Sequence, residues 1–180
     1  HRQRPRLMDK FKVLTDERFD SKPGYYGTVG DRTVIMAVDT ILDTAIGSDA
    51  FIEGAGKLED LTICSDAQEP SRIGHGTSLA HGVVGYGAKV ASGARAEHFV
   101  LGTNVQLSMG ARLMHAFLGD NSHVACCEVL NTLVFPNHQQ HHNNSFLIAG
   151  VLQGQSNIAA GSTIGSNHNS RSLDGEFVAG

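Results

Sequence analysis

Aliphatic residues recur at every sixth position along most of the chain, and a small residue follows four places after each of them. Ile46, Ile52 and Leu58 begin three such repeats in succession, and the phase continues at Ile73 and Leu79. A period of six matches neither the 3.6 residues of a helical turn nor the simple alternation of a long strand. The pattern predicts a β-solenoid in which each coil has three short faces and each face buries one aliphatic and one small residue.

Further along the chain the repeat settles into a coil of constant length. Val84, Leu101 and Leu118 are evenly spaced, and each is followed by glycine. Three faces of six residues with one shortened corner give the observed interval of 17 residues. Successive coils then stack at the distance between paired strands, about 4.8 Å. We therefore expect about seven coils, with residues 17 apart forming ladders and these three aliphatic side chains stacked inside the prism.

Two segments interrupt the repeat and divide the chain. Residues 63–72 contain Pro70, and residues 135–145 contain Pro136 and a run of polar side chains. We interpret both as external loops of a solenoid that covers residues 28–169. Residues 1–27 are expected to form an N-terminal arm or cap with a helix over Arg6–Arg18. Residues 170–180 are expected to be a C-terminal extension that continues in a longer protein.

Composition and charge exclude several classes of function. The chain carries 14 Lys and Arg against 18 Asp and Glu, a formal charge of -4, so it lacks the basic surface of a protein that binds nucleic acid. The longest apolar run, Phe146 to Leu152, is too short to span a bilayer. The three cysteines are an odd number, and two of them are adjacent, which favours a reducing compartment. We expect a soluble, cytoplasmic protein.

Three histidines carry the main chemical signal. His81, His98 and His115 are separated by the interval of one coil, and each stands at the third position of its repeat. They are therefore expected to stack on one corner of three successive coils. A structural interpretation is a ladder of neutral imidazoles. A functional interpretation is that one of them faces a cleft between subunits and acts as a general base, because an imidazole accepts a proton near neutral pH.

The repeat resembles the signature [LIV]-[GAED]-x-x-[STAV]-x of the hexapeptide-repeat superfamily. The resemblance covers roughly residues 28–169. It implies an all-β fold, a single-stranded left-handed parallel β-helix. Because solenoids of this type place the active corner against a neighbouring subunit, the resemblance also implies a homotrimer.

The segment Leu79–Gly85 is similar to the I-A-H-(D/N)-x-x-[IV]-G segment of acyltransferases that acylate nucleotide sugars, such as UDP-N-acetylglucosamine acyltransferases. The resemblance implies that His81 is the general base and that His98 contacts substrate. The acyl donor would be an acyl carrier protein or coenzyme A thioester, with no bound cofactor. A carboxylate or amide often follows the histidine in that family, whereas Gly82 follows it here. Glu97, one coil further, is the expected substitute that orients the ring.

Two arginines occupy equivalent positions in successive coils. Arg95 and Arg112 each end a Gly-Ala-Arg triplet, so their like charges repel at the ladder spacing unless they point into solvent or share an anion. One interpretation is a pair of solvated side chains. The other is a phosphate clamp for a nucleotide or a phosphopantetheine arm, to which Lys89 contributes.

The polar segment near residue 140 contains a second group of histidines. His138, His141 and His142 have the spacing of one helical turn, which would suit zinc. Pro136 before them and two asparagines after them favour a polar loop instead. The alternatives are a metal site, a substrate contact and an ordinary surface loop. We assign the three histidines to substrate binding and assign no metal.

Two other functions compete with acyl transfer. The γ-class carbonic anhydrases of the same superfamily bind zinc through three histidines shared between subunits. His81 and His115 are two coils apart, but the next histidine, His123, is eight residues further and no Gln-Asn pair accompanies it. The remaining alternative is a non-catalytic scaffold or oligomerisation module. The concentration of polar, chemically capable side chains between His75 and His142 argues against it.

Overall fold

The structure is a computed structural model that describes residues 5–18, 27–165 and 177–179. The chain forms a parallel β-solenoid of about eight turns. The repeat led us to expect about seven coils. The difference arises because coiling continues through the second predicted loop, where the sequence loses its aliphatic signal.

The strands form two parallel sheets that run along the solenoid. The larger sheet has twelve strands. They are β1 (Thr28–Val29), β3 (Thr40–Ile46), β5 (Lys57–Ile63), β7 (Ser78–Val84), β9 (Arg95–Leu101), β11 (Arg112–Leu118), β13 (Glu128–Leu130), β14 (Leu133–Val134), β16 (Phe146–Ile148), β17 (Gly150–Leu152), β18 (Thr163–Gly165) and β19 (Phe177–Ala179).

The smaller sheet has seven strands. They are β2 (Val34–Met36), β4 (Phe51–Glu53), β6 (Arg72–Ile73), β8 (Lys89–Val90), β10 (Gln106–Ser108), β12 (His123–Ala125) and β15 (Gln139–Gln140).

One helix precedes the solenoid. Helix α1 covers Pro5–Arg18, which agrees with the predicted helix, and proline at a first helical position has the backbone angle that a helix requires. The other residues of the predicted arm, 1–4 and 19–26, lie outside the described residues. Of the predicted C-terminal extension, the structure describes only β19, which pairs with β17. None of the described residues belongs to a helix that is long and apolar enough to cross a bilayer.

The predicted interior ladder is confirmed. Val84, Leu101 and Leu118 are register partners on adjacent strands, and each is at most 1% exposed. Their stacking places a continuous aliphatic column inside the prism. Burial of such a column is the main favourable term in the stability of a solenoid.

Each long strand of the larger sheet bends at its central residue. In β9 the buried residues Ala96 and Phe99 are three positions apart, whereas Phe99 and Leu101 are two apart. The change of phase occurs at His98, whose φ is +51°. Asp, Asn and His tolerate this left-handed conformation better than most residues. The central residues therefore form a corner of the prism.

The corner after β5 is longer than its counterparts. Residues 64–71 separate β5 from β6, whereas residues 85–88 suffice to join β7 to β8 in the next coil. Ser71 anchors the longer segment, because its buried hydroxyl lies within hydrogen-bond distance of the carbonyl oxygens of Cys64 and Gly85. The additional residues shift the sequence phase without breaking the column of stacked coils.

The structure differs from the external loop predicted over residues 135–145. Strand β15 lies within this segment and pairs with β12, and both His138 and Gln140 are completely buried. Gln140 is the register partner of Val124, so it occupies an interior position. A hydrogen-bonded polar cluster replaces aliphatic residues here, which is why the hydrophobic pattern did not reveal the strand.

Candidate functional site

The predicted histidine ladder is present at the corner of the long strands. We use the term corner ladder for the stacked residues Asp43, Asp60, His81, His98, His115 and Asn131. The ring centroids of His81 and His98 are 4.9 Å apart, and those of His98 and His115 are 4.8 Å apart. The ring planes are tilted by only 16° and 4°. The predicted stacking of the three imidazoles is confirmed.

Asp60 is the side chain that orients His81. Its Oδ2 lies 3.0 Å from His81 Nδ1. The sequence led us to expect Glu97 in this role, but the Oε1 of Glu97 lies 3.7 Å from the Nε2 of His98 instead. Asp60 was missed because it precedes His81 by 21 positions, more than one regular coil. The longer corner between the two strands hides the regular spacing.

The contact with Asp60 fixes which ring nitrogen of His81 can accept a proton. An ionised carboxylate only accepts hydrogen bonds, so Nδ1 of the neutral ring must carry the hydrogen and donate it to Asp60. The lone pair then remains on Nε2. The His81 side chain is 40% exposed, which leaves this nitrogen accessible to a ligand.

Gly82 follows His81 because the neighbouring coil leaves no room for a side chain there. A Cβ atom at this position would lie 2.5 Å from Cε1 of Phe99, whose ring is almost completely buried. The ring of Phe99 thus packs directly against the backbone after His81. This contact explains the departure from the acyltransferase segment, in which a polar residue follows the histidine.

Two open grooves flank the corner ladder. The first groove has a volume of about 510 Å³, and its polar lining includes Lys57, Ser78, Arg95, Glu97, Arg112 and Glu128. The second groove has a volume of about 1120 Å³ and lies on the other side of the corner. Its lining includes Asp60, His98, His115, Val100, Phe117 and Leu133. Among the described residues, His81 alone lines both grooves.

Arg95 and Arg112 are brought together in the first groove as register partners of adjacent strands. The Nη1 of Arg112 donates to Oε1 of Glu128 at 2.9 Å, which neutralises part of the local charge. Arg95 takes part in none of the ion pairs formed within the described residues. Lys89, the expected third cation, lies on the smaller sheet, and Lys57 takes its place in the groove.

The structure separates the histidines of the second predicted group. His138 lies inside the prism, where burial lowers its pKa and a hydrogen bond to Gln140 acts in the opposite direction. Its complete burial does not favour the substrate contact predicted for His138, which stays a prediction. His141 and His142 remain exposed, and the ring of His141 stacks on that of His123 at 5.4 Å.

Neither the second histidine group nor the corner ladder has the geometry of a metal site. Within the described ranges, no three His, Cys, Asp or Glu side chains are arranged to hold a metal ion. Burial lowers the pKa of His123, and the neighbouring His141 lowers it further. The cluster of His123, His141 and His142 lies outside both grooves, so the predicted substrate contacts of His141 and His142 are separate from His81.

The cysteines are poorly suited to nucleophilic catalysis. Burial raises the pKa of the Cys127 thiol to about 11 and also raises the pKa of Cys64. Cys126 is partly exposed, and its sulfur contacts that of Met109 at 3.7 Å. Because a thiolate is the reactive form of cysteine, neither Cys64 nor Cys127 is a favourable nucleophile.

Comparison with known proteins identifies the family. Residues 1–172 match DUF4954, a family described as a domain of unknown function. The chain belongs to the DUF4954 family. A relative in Treponema pallidum (strain Nichols), named "Uncharacterized protein", is 61% identical over all 180 residues. The chain spans 25% of the length of that relative.

The DUF4954 chain therefore combines three elements at one corner of a parallel solenoid. These are an oriented imidazole with an accessible nitrogen, a groove lined by three cations and two carboxylates, and a second groove with an apolar wall. Such an arrangement can hold a ligand that carries negative charge and remove a proton from one of its polar groups.

Proposed function

We propose that this DUF4954 domain transfers an acyl group from a thioester donor to a hydroxyl or amine of a sugar or nucleotide sugar. The donor would be an acyl carrier protein or coenzyme A thioester. The observation that carries the proposal is the Asp60–His81 pair at the meeting point of the two grooves. A general base needs an oriented ring and an accessible nitrogen, and His81 has both.

The proposed reaction begins with the acceptor held beside Nε2 of His81. As the acceptor oxygen or nitrogen attacks the carbonyl carbon of the thioester, its proton passes to Nε2. The carbon–sulfur bond then breaks, and the protonated ring returns the proton to the leaving thiolate. Asp60 stabilises the imidazolium that forms between the two steps.

The first groove is proposed to hold the phosphate groups of a nucleotide or a phosphopantetheine arm. Lys57, Arg95 and Arg112 line it, and the guanidinium group matches the geometry of a phosphate. Arg95 is the main candidate because Glu128 already pairs with Arg112. His98 and His115 line the second groove, where they would contact the acceptor.

We further propose that the solenoid is left-handed, belongs to the hexapeptide-repeat superfamily and forms a homotrimer. A partly exposed apolar ladder consisting of Val83, Val100, Phe117 and Leu133 supports the trimer. Val100 is 40% and Leu133 is 51% exposed, so burial of this ladder against a second subunit would be favourable. Sedimentation of a trimer at micromolar concentration would agree with this proposal, and a monomer would contradict it.

A zinc enzyme of the γ-carbonic anhydrase type fits the corner ladder less well. The rings of His98 and His115 are tilted by only 4°. The lone pairs of ring nitrogens lie in the ring planes, so two nearly parallel stacked rings direct them along parallel lines. Tetrahedral zinc requires lone pairs that converge on one point.

A scaffold or oligomerisation role is the second candidate function. The observation that favours it is the same partly exposed apolar ladder, in a chain that spans 25% of the length of its relative. A scaffold would bind neither thioester donors nor sugar nucleotides. In that case the corner ladder would contribute to stability alone.

The test is mass spectrometry of the protein incubated with acetyl coenzyme A or an acyl carrier protein thioester and a panel of sugar nucleotides. We expect an acylated acceptor and release of thiol. Changing His81→Ala should lower turnover by about a hundredfold to ten-thousandfold while the fold persists, because an exposed corner side chain supports little of the core.

His75→Ala is the matched control, because His75 is another exposed histidine but lines neither groove. This control should retain most of the activity. Equal turnover in the His81→Ala protein and the unaltered protein would overturn the mechanism. Absence of both acylation and ligand binding would favour the scaffold.

A further inference from the structure

The N-terminal end of the solenoid leaves interior positions uncovered. Val29 is the register partner of Ile46, and Ile35 is the register partner of Ile52. Ile46 and Ile52 are at most 4% exposed, whereas Val29 is 60% and Ile35 is 38% exposed. The difference arises because β1 and β2 are the terminal strands of their sheets within the described residues.

An uncovered solenoid end is unfavourable in two ways. Apolar side chains that lie in the interior ladders contact water, and the edge strands leave backbone groups without partners. Such an end is also a template on which a second copy can stack. Repeat proteins therefore require terminal caps that cover the last repeat.

Helix α1 has an apolar face that matches this end. Leu7 and Leu14 are separated by about two helical turns, so they lie on one side of the helix. They are 45% and 57% exposed. A helix of 14 residues is marginally stable in water unless it packs against a partner. The helix and the solenoid end are two unpartnered apolar surfaces among the residues that the structure describes.

The dimensions of the two surfaces agree. A helix of 14 residues is about 21 Å long. A six-residue face of the solenoid is about 20 Å wide. The chain from Arg18 to Gly27 contains nine peptide steps, which reach at most about 30 Å. The helix can therefore lie across the end of its own solenoid.

The charges beside the two surfaces are also complementary. Arg6 and Lys10 lie next to the face that carries Leu7 and Leu14, at about 100° per residue around the helix. The first coil exposes Asp31 and Asp39. Opposite charges at the rim of an apolar contact favour one orientation over others.

We propose that α1 folds onto the N-terminal end of the solenoid as a cap, with Leu7 and Leu14 covering Val29 and Ile35. The cap prevents end-to-end stacking of one solenoid on another. It is independent of acyl transfer, because none of these four residues lines either groove or contacts His81. The cap forms whether or not the corner ladder is catalytic.

Hydrogen exchange of the full chain, followed by mass spectrometry, tests the cap. The variant Leu7→Glu/Leu14→Glu should accelerate exchange of the amides in residues 28–36 by about tenfold or more, because the covering surface is lost. Lys12→Gln is the matched control, since Lys12 lies on the opposite side of α1. Exchange in β9 and β11 should be unchanged in both proteins, which verifies that the solenoid remains folded.

The reciprocal variant makes the test specific. Ile35→Asp should accelerate exchange in α1, because the helix loses its docking surface. If Leu7→Glu/Leu14→Glu leaves the exchange of residues 28–36 unchanged, the proposal is overturned. Protection of residues 28–36 that rises with protein concentration would assign the end to a second copy and would also overturn it.

Discussion

Histidines occupy two contrasting regions of this solenoid. At the corner ladder, the His81 ring is exposed and contacts the carboxylate of Asp60. Inside the later coils, His138 is completely buried and hydrogen-bonds to neutral side chains. Its Nδ1 lies 2.8 Å from Ser156 Oγ, and its Nε2 lies 3.1 Å from Gln140 Oε1. The same side chain is thus a surface group in one region and a core group in the other.

The comparison of His81 with His138 shows that the surroundings of an imidazole determine whether it is available for proton transfer or serves as a core hydrogen-bonding group. The carboxylate of Asp60 contacts Nδ1 of His81, and solvent reaches the ring. Around His138 the amide of Gln140 donates to Ser145, so Gln140 Oε1 must accept from His138 Nε2. This satisfied network holds a neutral ring and two adjacent coils together.

The largest expected effect comes from removing the buried imidazole. His138→Ala leaves a cavity and deprives Gln140 and Ser156 of their partner. We expect the free energy of unfolding to fall by about 2–4 kcal/mol. Denaturation in urea measures it. His98→Ala at the exposed ladder is the control and should cost about 0.5 kcal/mol. Equal losses in the two variants would contradict the contrast between core and surface histidines.

A second prediction concerns the glycine behind His81. In Gly82→Ala the new Cβ would collide with the ring of Phe99. We therefore expect the free energy of unfolding to fall by about 1–2 kcal/mol. Gly56→Ala is the control, because its nearest neighbour would be the carbonyl oxygen of Thr77 at 3.5 Å. The melting temperatures of the two variants, each compared with that of the unaltered protein, measure their stability. Adding Phe99→Leu, which shortens the opposing side chain, should restore part of the stability that Gly82→Ala loses. If Gly82→Ala is as stable as Gly56→Ala, the packing account is refuted.

A third prediction separates the two carboxylates near the corner ladder, and it rests on the proposed acyl transfer. Asp60→Asn should lower turnover by about tenfold or more, because the ring loses the group that fixes its tautomer and stabilises the imidazolium. Glu97→Gln, which lies beside His98, should have a smaller effect. Initial rates of thiol release measure both, and a larger loss from Glu97→Gln would reverse the assignment.

The smallest expected effect is a pH dependence of stability. Burial lowers the pKa of His138 below the ordinary value of 6.5. Between the folded-state pKa and 6.5, the unfolded chain binds more protons than the folded chain. The contribution of the neutral His138 ring to the free energy of unfolding is therefore complete above about pH 6.5. It falls as the pH drops towards the folded-state pKa of His138. Urea midpoints measured across this range should show the loss.

His138→Gln tests the source of that pH dependence. The amide of glutamine does not titrate, so the variant should lose less stability than the unaltered protein when the pH is lowered. If His138→Gln retains the full acid sensitivity, the effect arises from other groups, such as His123, whose pKa burial also lowers.

The sequence predicted the parallel solenoid and the stacking of the three histidines where the coil length is constant. Arg95, Arg112 and the three stacked histidines repeat at the interval of one regular coil, so their register follows directly from counting. Between β11 and β13 the repeat shortens to 16, and the following coil has 18. At the same place Gln140 replaces an aliphatic residue, so neither spacing nor hydropathy marked the strand.

The partner of His81 was hidden for a related reason. Asp60 lies one coil before His81, but the longer corner at residues 64–71 separates them by additional residues. A hydrophobic pattern records which positions are buried, whereas the contact between two exposed side chains depends on the register across the insertion. Pairing of Leu61 with Gly82 sets that register, and only the structure supplies it.

The central claim is that Asp60 holds His81 with its proton on Nδ1, which leaves Nε2 as the proton acceptor. Two-bond ¹⁵N–¹H correlation spectra of the histidine rings, recorded above pH 7.5, test it directly and require no substrate. We expect the Nδ1–H tautomer for His81 in the unaltered protein and a loss of that preference in Asp60→Ala. An Nε2–H tautomer for His81, unchanged by Asp60→Ala, would contradict the account.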